Sequence, residues 1–227
     1  MKLTFLGHSC FMVETKGKKL LFDPFITPNE RANKVVDVKS LKPDYVLLSH
    51  GHEDHVADAL DILKNTGATL ISNFEIVTYY QNQGVENVHP MNHGGSWKFD
   101  FGRVKYTNAI HSSMLPDGSN GGNPGGFVIE NDETTFYFAG DTALTYDMKL
   151  VGDEFNLDLA LLPVGDNFTM GVDDALKATD FIKCNKIVGL HFDTFGFIEI
   201  DHDSAKKKFK AAGKELILLE PGEEKNF

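Results

Sequence analysis

Tyr45-Val46-Leu47-Leu48-Ser49-His50-Gly51-His52-Glu53-Asp54-His55 joins a short apolar run to four metal-competent side chains, His50, His52, Asp54 and His55, within six positions. The apolar run reads as a strand. Side chains alternate along a strand with period two, so His50 and His52 at its end can point to one side and share a cation. Asp54 and His55 follow where the chain turns into a predicted helix, Val56 to Lys64, and can face a second ion. A solvated loop has no physical reason to gather these residue types on one turn.

Working outward from this stretch, the same order of elements occurs twice. Residues 11–23, FMVETKGKKLLFD, and 127–141, FVIENDETTFYFAGD, each read as a hairpin ending in an aspartate, Asp23 and Asp141. A strand follows in each half, at 44–48 and 158–162. Next come helices opening at Asp58-Ala59-Leu60 and Asp174-Ala175-Leu176, then strands at 69–72 and 186–190. We expect one domain over 1–227, built of two pseudo-duplicated halves, about 1–110 and 111–227. Strands outnumber helices, and runs such as Phe136-Tyr137-Phe138-Ala139 are continuously apolar, as in strands covered on both faces. The expected fold class is α/β (α+β), two sheets packed face to face with helices outside, a four-layer αββα sandwich.

Composition bounds the function. The chain has 227 residues, 41% hydrophobic and 24% charged, enough for a substantial core. Leu3 to Leu6 is too short for a secretory signal and no apolar run approaches the roughly 20 residues of a membrane span, so the expected location is cytoplasmic. Cys10 and Cys184, the two cysteines, sit in apolar settings and read as buried thiols; Cys10 lies close enough to His8 to leave a Cys/His nucleophile as the lesser alternative. A formal net charge of −11 opposes polyanion binding, making nucleic acid a poor partner. A small-molecule substrate is expected, an anionic one included, since bound cations would offset charge locally. The glycine-rich stretch 112–126 lacks the Gly-Lys-Ser/Thr ending of a phosphate loop and reads as a turn beside the site. Lys206-Lys207-Lys208 reads as the wet face of a late helix, Ser204 to Gly213.

Three further segments share one local grammar, an apolar run ending in a metal-competent side chain: 106–111 at His111, 136–141 at Asp141 and 187–191 at His191. Ligand sites in α/β folds gather beyond strand carboxyl ends, so these ends and the His50–His55 turn are expected to converge on one edge.

The ordered set His-x-His-x-Asp-His, then His, Asp and His, resembles the metallo-β-lactamase superfamily over nearly the whole chain. The Ala139-Gly140-Asp141-Thr142 turn adds to the likeness. Gly7-His8-Ser9 and Asp23-Pro24-Phe25 resemble more particularly the short metal-dependent hydrolases near the ascorbate-phosphate lactonase and N-acyl-phosphatidylethanolamine phospholipase D branches. The resemblance implies that His50, His52 and His111 hold one ion and Asp54, His55 and His191 the other, with Asp141 bridging. It implies a binuclear hydrolase whose hydroxide, shared by two divalent ions, cleaves an ester, lactone, thioester or phosphoester. Zinc is the expected metal; mixed imidazole and carboxylate ligands also admit manganese, iron or nickel.

Around this set, Asp54 is expected to ligate and to orient the hydroxide, and His8, at another strand end, to donate a proton, hold the substrate or make a structural hydrogen bond. Asp23 is expected either to orient a ligand histidine or to anchor an Asp-Pro turn. Glu53 alternates away from the ligands, His89 and His93 read as surface or turn residues, and His202 as a loop residue outside the ligand set. Phe168, in the loop 165–171, is expected in a capping loop or pocket wall. Substrate choice is expected to lie in that loop with 27–39 and 112–126. The alternatives are a nuclease or phosphodiesterase of the same fold, a flavodiiron-like redox protein, and a non-enzymatic metal-binding module. Acidic charge and the lack of a long inserted domain count against the nuclease. No flavin domain accompanies the ligands, which counts against the redox protein. Association into homo-oligomers is an expectation for small enzymes of this kind.

Overall fold

Seven strands that begin at the amino terminus form the first sheet of the computed structural model, which describes all residues from Met1 to Phe227. They are β1 (Lys2–Gly7), β2 (Cys10–Thr15), β3 (Lys18–Phe22), β4 (Tyr45–Leu47), β5 (Thr69–Asn73), β6 (Val88–Met91) and, returning from the carboxyl terminus, β14 (Glu224–Asn226), in the order β14-β1-β2-β3-β4-β5-β6. The β2–β3 hairpin turns at Lys16-Gly17, whose φ values of 52° and 71° are the paired left-handed geometry that suits strand twist. β3, β4 and β5 then pair parallel.

The second sheet repeats this plan: β7 (Ser96–Phe99), β8 (Gly102–Asn108), β9 (Gly125–Glu130), β10 (Thr135–Phe138), β11 (Leu159–Pro163), β12 (Lys186–Leu190) and β13 (Glu215–Ile217), in sequential spatial order. The chain therefore changes sheets between Met91 and Ser96, earlier than the expected division near 110, and β14 rejoins the first sheet. Helices α1 (Glu53–Val56), α2 (Ala59–Thr66) and α3 (Phe74–Asn82) follow first-sheet strands; α4 (Met148–Glu154), α5 (Val172–Phe181) and α6 (His202–Ala211) follow second-sheet strands. The αββα expectation holds, and no helix is long and apolar enough to cross a membrane.

Alternation sorts the first sheet's side chains. Phe11, Val13, Leu20, Phe22, Leu47 and Ile71 belong to the larger core between the sheets, while Met12, Leu21, Val46, Leu48 and Leu70 join a second core with Ile62, Leu63, Ile76 and Val77 of the helices. Phe22 marks the junction of the sheets, its ring centroid 4.8 Å from Phe138, 6.0 Å from Phe136 and 6.3 Å from Phe127. Both sheets are covered on two faces, which explains their unbroken apolar runs.

The single helix expected over Val56 to Lys64 is two. The break falls at Ala57-Asp58, because the Asp58 carboxylate accepts from the backbone N–H of Ile26 (2.6 Å) and Thr27 (2.9 Å), and its own N–H donates to Pro24 O. Satisfying that buried loop backbone outweighs helix continuity. The lysine-rich helix sits two residues earlier than expected, capped by Asp201, with Ala205 and Phe209 on its buried side.

Candidate metal centre

Strand direction assembles the site. β1, β3 and β4 run parallel to one another, as do β8, β10, β11 and β12 in the other sheet. Their carboxyl ends lead into His8, Asp23, His50, His111, Asp141 and His191 on one edge of the sandwich. Leaving a strand sharply requires unusual backbone, and His8, Asp23 and His191 adopt φ of 58°, 40° and 55°. Gly140, at φ 62°, precedes Asp141; a Cβ there would stand 2.7 Å from the Ser49 Cβ. Only glycine lets the two sheets approach so closely beside His50.

All seven expected ligands come together. His50 Nε2 lies 3.0 Å from His52 Nδ1, and these two with His111 form one group of converging ligand atoms. Asp54, His55 and His191 form a second, which also takes in His8. Asp141 lies between them: its Oδ2 is 3.0 Å from His191 Nε2, 3.3 Å from His55 Nε2 and 3.6 Å from His111 Nε2. Asp54 Oδ2 is 3.6 Å from His191 Nε2 and 3.8 Å from His55 Nε2. Ligand atoms about 2.0–2.2 Å from a tetrahedral cation stand roughly 3.3–3.6 Å from one another. The observed separations fit that spacing. His55 Nε2, Asp141 Oδ1 and His191 Nδ1 are buried without hydrogen-bond partners, a cost that cations at the first two atoms would remove. The donor set of imidazoles and two carboxylates suits divalent cations.

Charge reinforces the arrangement. Burial disfavours ionised Asp141, but His191 and His55 outweigh it and hold its carboxyl well below the usual range. Burial likewise opposes Asp54, and His55, His191 and His8 again reverse the balance, leaving its pKa lowered. On the imidazole side, burial works against the charged form of His191, yet Asp141 and Asp54 raise its pKa to about 9, and Asp141 and Asp54 lift His55 as well. Burial, with His55 close by, pushes His50 well down, which keeps it neutral and able to ligate.

The ligands' outer nitrogens are held in turn. Asp23 is fully buried; its Oδ2 accepts from His55 Nδ1 at 2.8 Å and from the Ser49 hydroxyl at 2.5 Å, and its Oδ1 from Ser49 N at 2.8 Å. Ser49 Oγ also lies 3.0 Å from His50 Nδ1. With its proton given to Asp23, that oxygen accepts from His50, so one carboxylate places the Nδ1–H tautomer on both His50 and His55 and frees both Nε2 atoms. Of the two sequence readings of Asp23, the geometry supports the orienting one. Ser112 Oγ stands 3.3 Å from His52 Nε2.

His8 is buried, with Nε2 3.1 Å from Asp54 Oδ2 and Nδ1 2.9 Å from Thr194 Oγ1. Burial and neighbouring His191 bring its pKa down to about 4 against the pull of Asp54. Both ring nitrogens of His8 therefore have partners within the protein, one of them the Asp54 carboxylate. Ser49, Ser112 and Thr194 carried no signal in the sequence beyond adjacency to a ligand or, for Thr194, none.

The remaining candidates lie elsewhere. His202 opens α6 rather than lying in a loop, and its Nε2 pairs with Asp193 Oδ2 at 2.6 Å. His89 is a half-buried strand residue of β6 against the Trp97 and Phe99 rings rather than a turn residue, while His93 lies in the turn before β7, as expected, its ring donating to Pro124 O and stacking on Tyr106. Glu53 is exposed in the first turn of α1. Cys10 is buried and its thiol pKa raised by that burial, which works against the thiolate that a Cys/His nucleophile needs. Over the ligands lies a cavity of about 680 Å³, bounded by His52, Asp54, His111, Asp141 and His191 below and by Ser112, Phe168, Phe195, Gly196 and Phe197 around it.

Comparison with known proteins identifies the family. A model of the beta-lactamase superfamily domain matches residues 2–191. A UPF0173 metal-dependent hydrolase of Flavobacterium johnsoniae is 60% identical over 223 residues, and one of Christiangramia forsetii 58% identical over 223 residues; each alignment covers 98% of both chains. Among solved structures, Igni18, a metallo hydrolase from the hyperthermophilic archaeon Ignicoccus hospitalis, is 35% identical with a TM-score of 0.90, covering 100% of this chain and 98% of that one. The chain belongs to the metallo-β-lactamase superfamily, among its UPF0173 metal-dependent hydrolases.

Proposed function

We propose that the chain hydrolyses an ester, lactone, thioester or phosphoester of a small molecule with two divalent cations, zinc by preference, at the floor of the 680 Å³ cavity. The observation that carries this is the convergence of three histidine Nε2 atoms on Asp141 Oδ2, with buried His55 Nε2 and Asp141 Oδ1 otherwise unpartnered. His50, His52 and His111 would hold one cation, Asp54, His55 and His191 the other, and Asp141 both. When bound, such a pair lowers the pKa of water towards neutrality and stabilises charge on the oxygens attacked and expelled.

The chain's own residues do the rest. Asp54 is partly open to the cavity, so it can hold the attacking water by a hydrogen bond as well as ligate. His8 Nε2–H donates to Asp54 Oδ2 and fixes that carboxylate's direction; His8 Nδ1 is then left to accept from the Thr194 hydroxyl at 2.9 Å, in competition with that hydroxyl's longer contact to Phe192 O at 3.3 Å. Neither His8 nor Thr194 bounds the cavity.

Elemental analysis of purified protein, followed by turnover of esters, lactones, thioesters and phosphodiesters with each ion restored, tests the proposal. Replacing both His50 and His52 by Ala should abolish metal-dependent turnover while the circular dichroism of the fold persists. Undiminished turnover after chelation would sink the mechanism.

A further inference from the structure

Phe168, Phe195 and Phe197 are 52%, 38% and 78% exposed, and all three bound the cavity above the metal ligands. Large rings left this open contribute little to folding, so their place on the cavity wall needs another reason. The loops that carry them are backbone-specified. Asp166 and Asn167, before Phe168, take φ of 64° and 56°; Asp193, before Phe195, takes 56°. Non-glycine residues held in that region are strained, and the surrounding hydrogen bonds keep them there: Asp166 N donates to Met170 O, and Asp193 N to Ile198 O. Phe168 and Phe197 meet edge to face with centroids 6.4 Å apart.

No Lys or Arg bounds this cavity. Arg31 reaches the same loop at Asp193 but is paired with Glu220 at 2.7 Å and Asp193 at 3.6 Å. The neighbouring cleft that shares Phe197 contains Lys208, paired with Asp173 at 2.6 Å, amid Asp166, Asp174, Glu199 and Asp201. A substrate's reacting group can be held by the metal centre, but a charged tail finds no counter-ion beyond it. The chain's formal charge of −11 repels anions at longer range as well.

We infer that the substrate carries an uncharged, apolar acyl or aryl group, seated against Phe168, Phe195 and Phe197, and that substrates with an anionic tail are discriminated against. This narrows the hydrolase reading above and rests on it. It also sets aside the anionic substrate that the composition allowed.

Two esters with the same leaving group and acyl chain length isolate the effect: para-nitrophenyl hexanoate and the mono-para-nitrophenyl ester of adipate, which ends in a carboxylate. With zinc-loaded protein, kcat/KM should be roughly tenfold or more higher for the hexanoate, about the size of a modest pocket discrimination. Phe168→Ala with Phe197→Ala should lower the hexanoate value roughly tenfold at unchanged metal content, because two apolar walls are lost. Binding of N-phenylnaphthylamine, an uncharged fluorophore, is measured in parallel and should weaken in the same double variant. Equal or better turnover of the adipate ester, or a double variant indistinguishable from wild type in both assays, overturns the inference. If neither ester turns over, ring-dependent fluorophore binding would support the apolar cavity and strike only the ester branch of the hydrolase reading, whose lactone, thioester and phosphodiester branches are decided by the panel above; absence of such binding would overturn the cavity inference.

Discussion

Asp23→Asn tests whether one buried carboxylate sets the protonation of both metal sites. The side chains are nearly isosteric, and Asn Oδ1 can still accept from Ser49 N, which is 2.8 Å away in the wild type. The other oxygen becomes an NH2 group facing His55 Nδ1, now at 2.8 Å. A donor there makes His55 Nδ1 an acceptor and moves the ring proton to Nε2, the atom that must ligate. The alternative tautomer sets two N–H groups against each other. Either way a buried charge-assisted hydrogen bond, worth about 1.5–3 kcal/mol, no longer favours the ligating form. At about 1.4 kcal/mol per tenfold, this corresponds to a loss in cation affinity of roughly 10- to 100-fold.

The loss should reach both sites, since Ser49 no longer has a carboxylate to donate to and its grip on His50 Nδ1 at 3.0 Å becomes ambiguous. Ser49→Ala, by contrast, should weaken only the site of His50, His52 and His111. Competition titrations against a chromophoric zinc chelator resolve the two affinities, with thermal melts of chelated protein separating folding effects. Wild-type zinc affinity at both sites in Asp23→Asn would refute the tautomer argument.

Two other outcomes follow from the same geometry. Thr194→Val removes the hydroxyl at His8 Nδ1 and should lower kcat several-fold with little change in KM, because neither residue bounds the cavity; a rise in KM alone would count against a positioning role. In chelated protein the folded-state pKa of His191 is raised to about 9, and that of His55 is raised as well, above the ordinary 6.5. The stability from the His191 imidazolium is full below pH 6.5 and lost as pH rises through about 9, and that from His55 is lost as pH rises through its own raised pKa, so the melting temperature of chelated protein should fall as pH rises above 6.5 and that of zinc-loaded protein much less. Calorimetry at pH 7.5 in buffers of different ionisation enthalpy should show protons released on zinc binding; buffer-independent heats would contradict the pKa directions.

The candidate ligands were legible because four of them close apolar runs, with Leu47 and Leu48 leading to His50, Ala109 and Ile110 to His111, Phe138 to Asp141 and Leu190 to His191, and because His52, Asp54 and His55 crowd the turn after His50. A covered strand and a polar residue at its exit are both one-dimensional signals. What decides the supporting contacts is not local. Thr194 meets His8 across 186 positions, Ser112 meets His52 across 60, and Asp58 breaks its helix to satisfy backbone at Ile26 and Thr27. The left-handed exits at His8, Asp23 and His191 use residues other than glycine, so no composition marks them. The repeat was visible but its boundary was not, since β7 has weak burial and β14 is a three-residue edge strand joined to β1 from the far terminus.

Duplication explains the chemistry of the two hairpin aspartates better than either does alone. β3 and β10 occupy equivalent places in their sheets, and each ends near an aspartate, Asp23 directly after Phe22 and Asp141 three residues after Phe138. Packing the sheets face to face makes the two carboxylates oppose each other across His55: Asp23 Oδ2 lies 2.8 Å from its Nδ1 and Asp141 Oδ2 3.3 Å from its Nε2. The difference in role comes from the extra turn through Gly140, which carries Asp141 forward to the ligand atoms while Asp23 stays buried behind them. One carboxylate thus fixes the proton on the far side of the ring, and the other offers its oxygen where a cation would sit. Exchanging the roles would require a glycine before Asp23, where the chain has Phe22 packed in the core between the sheets.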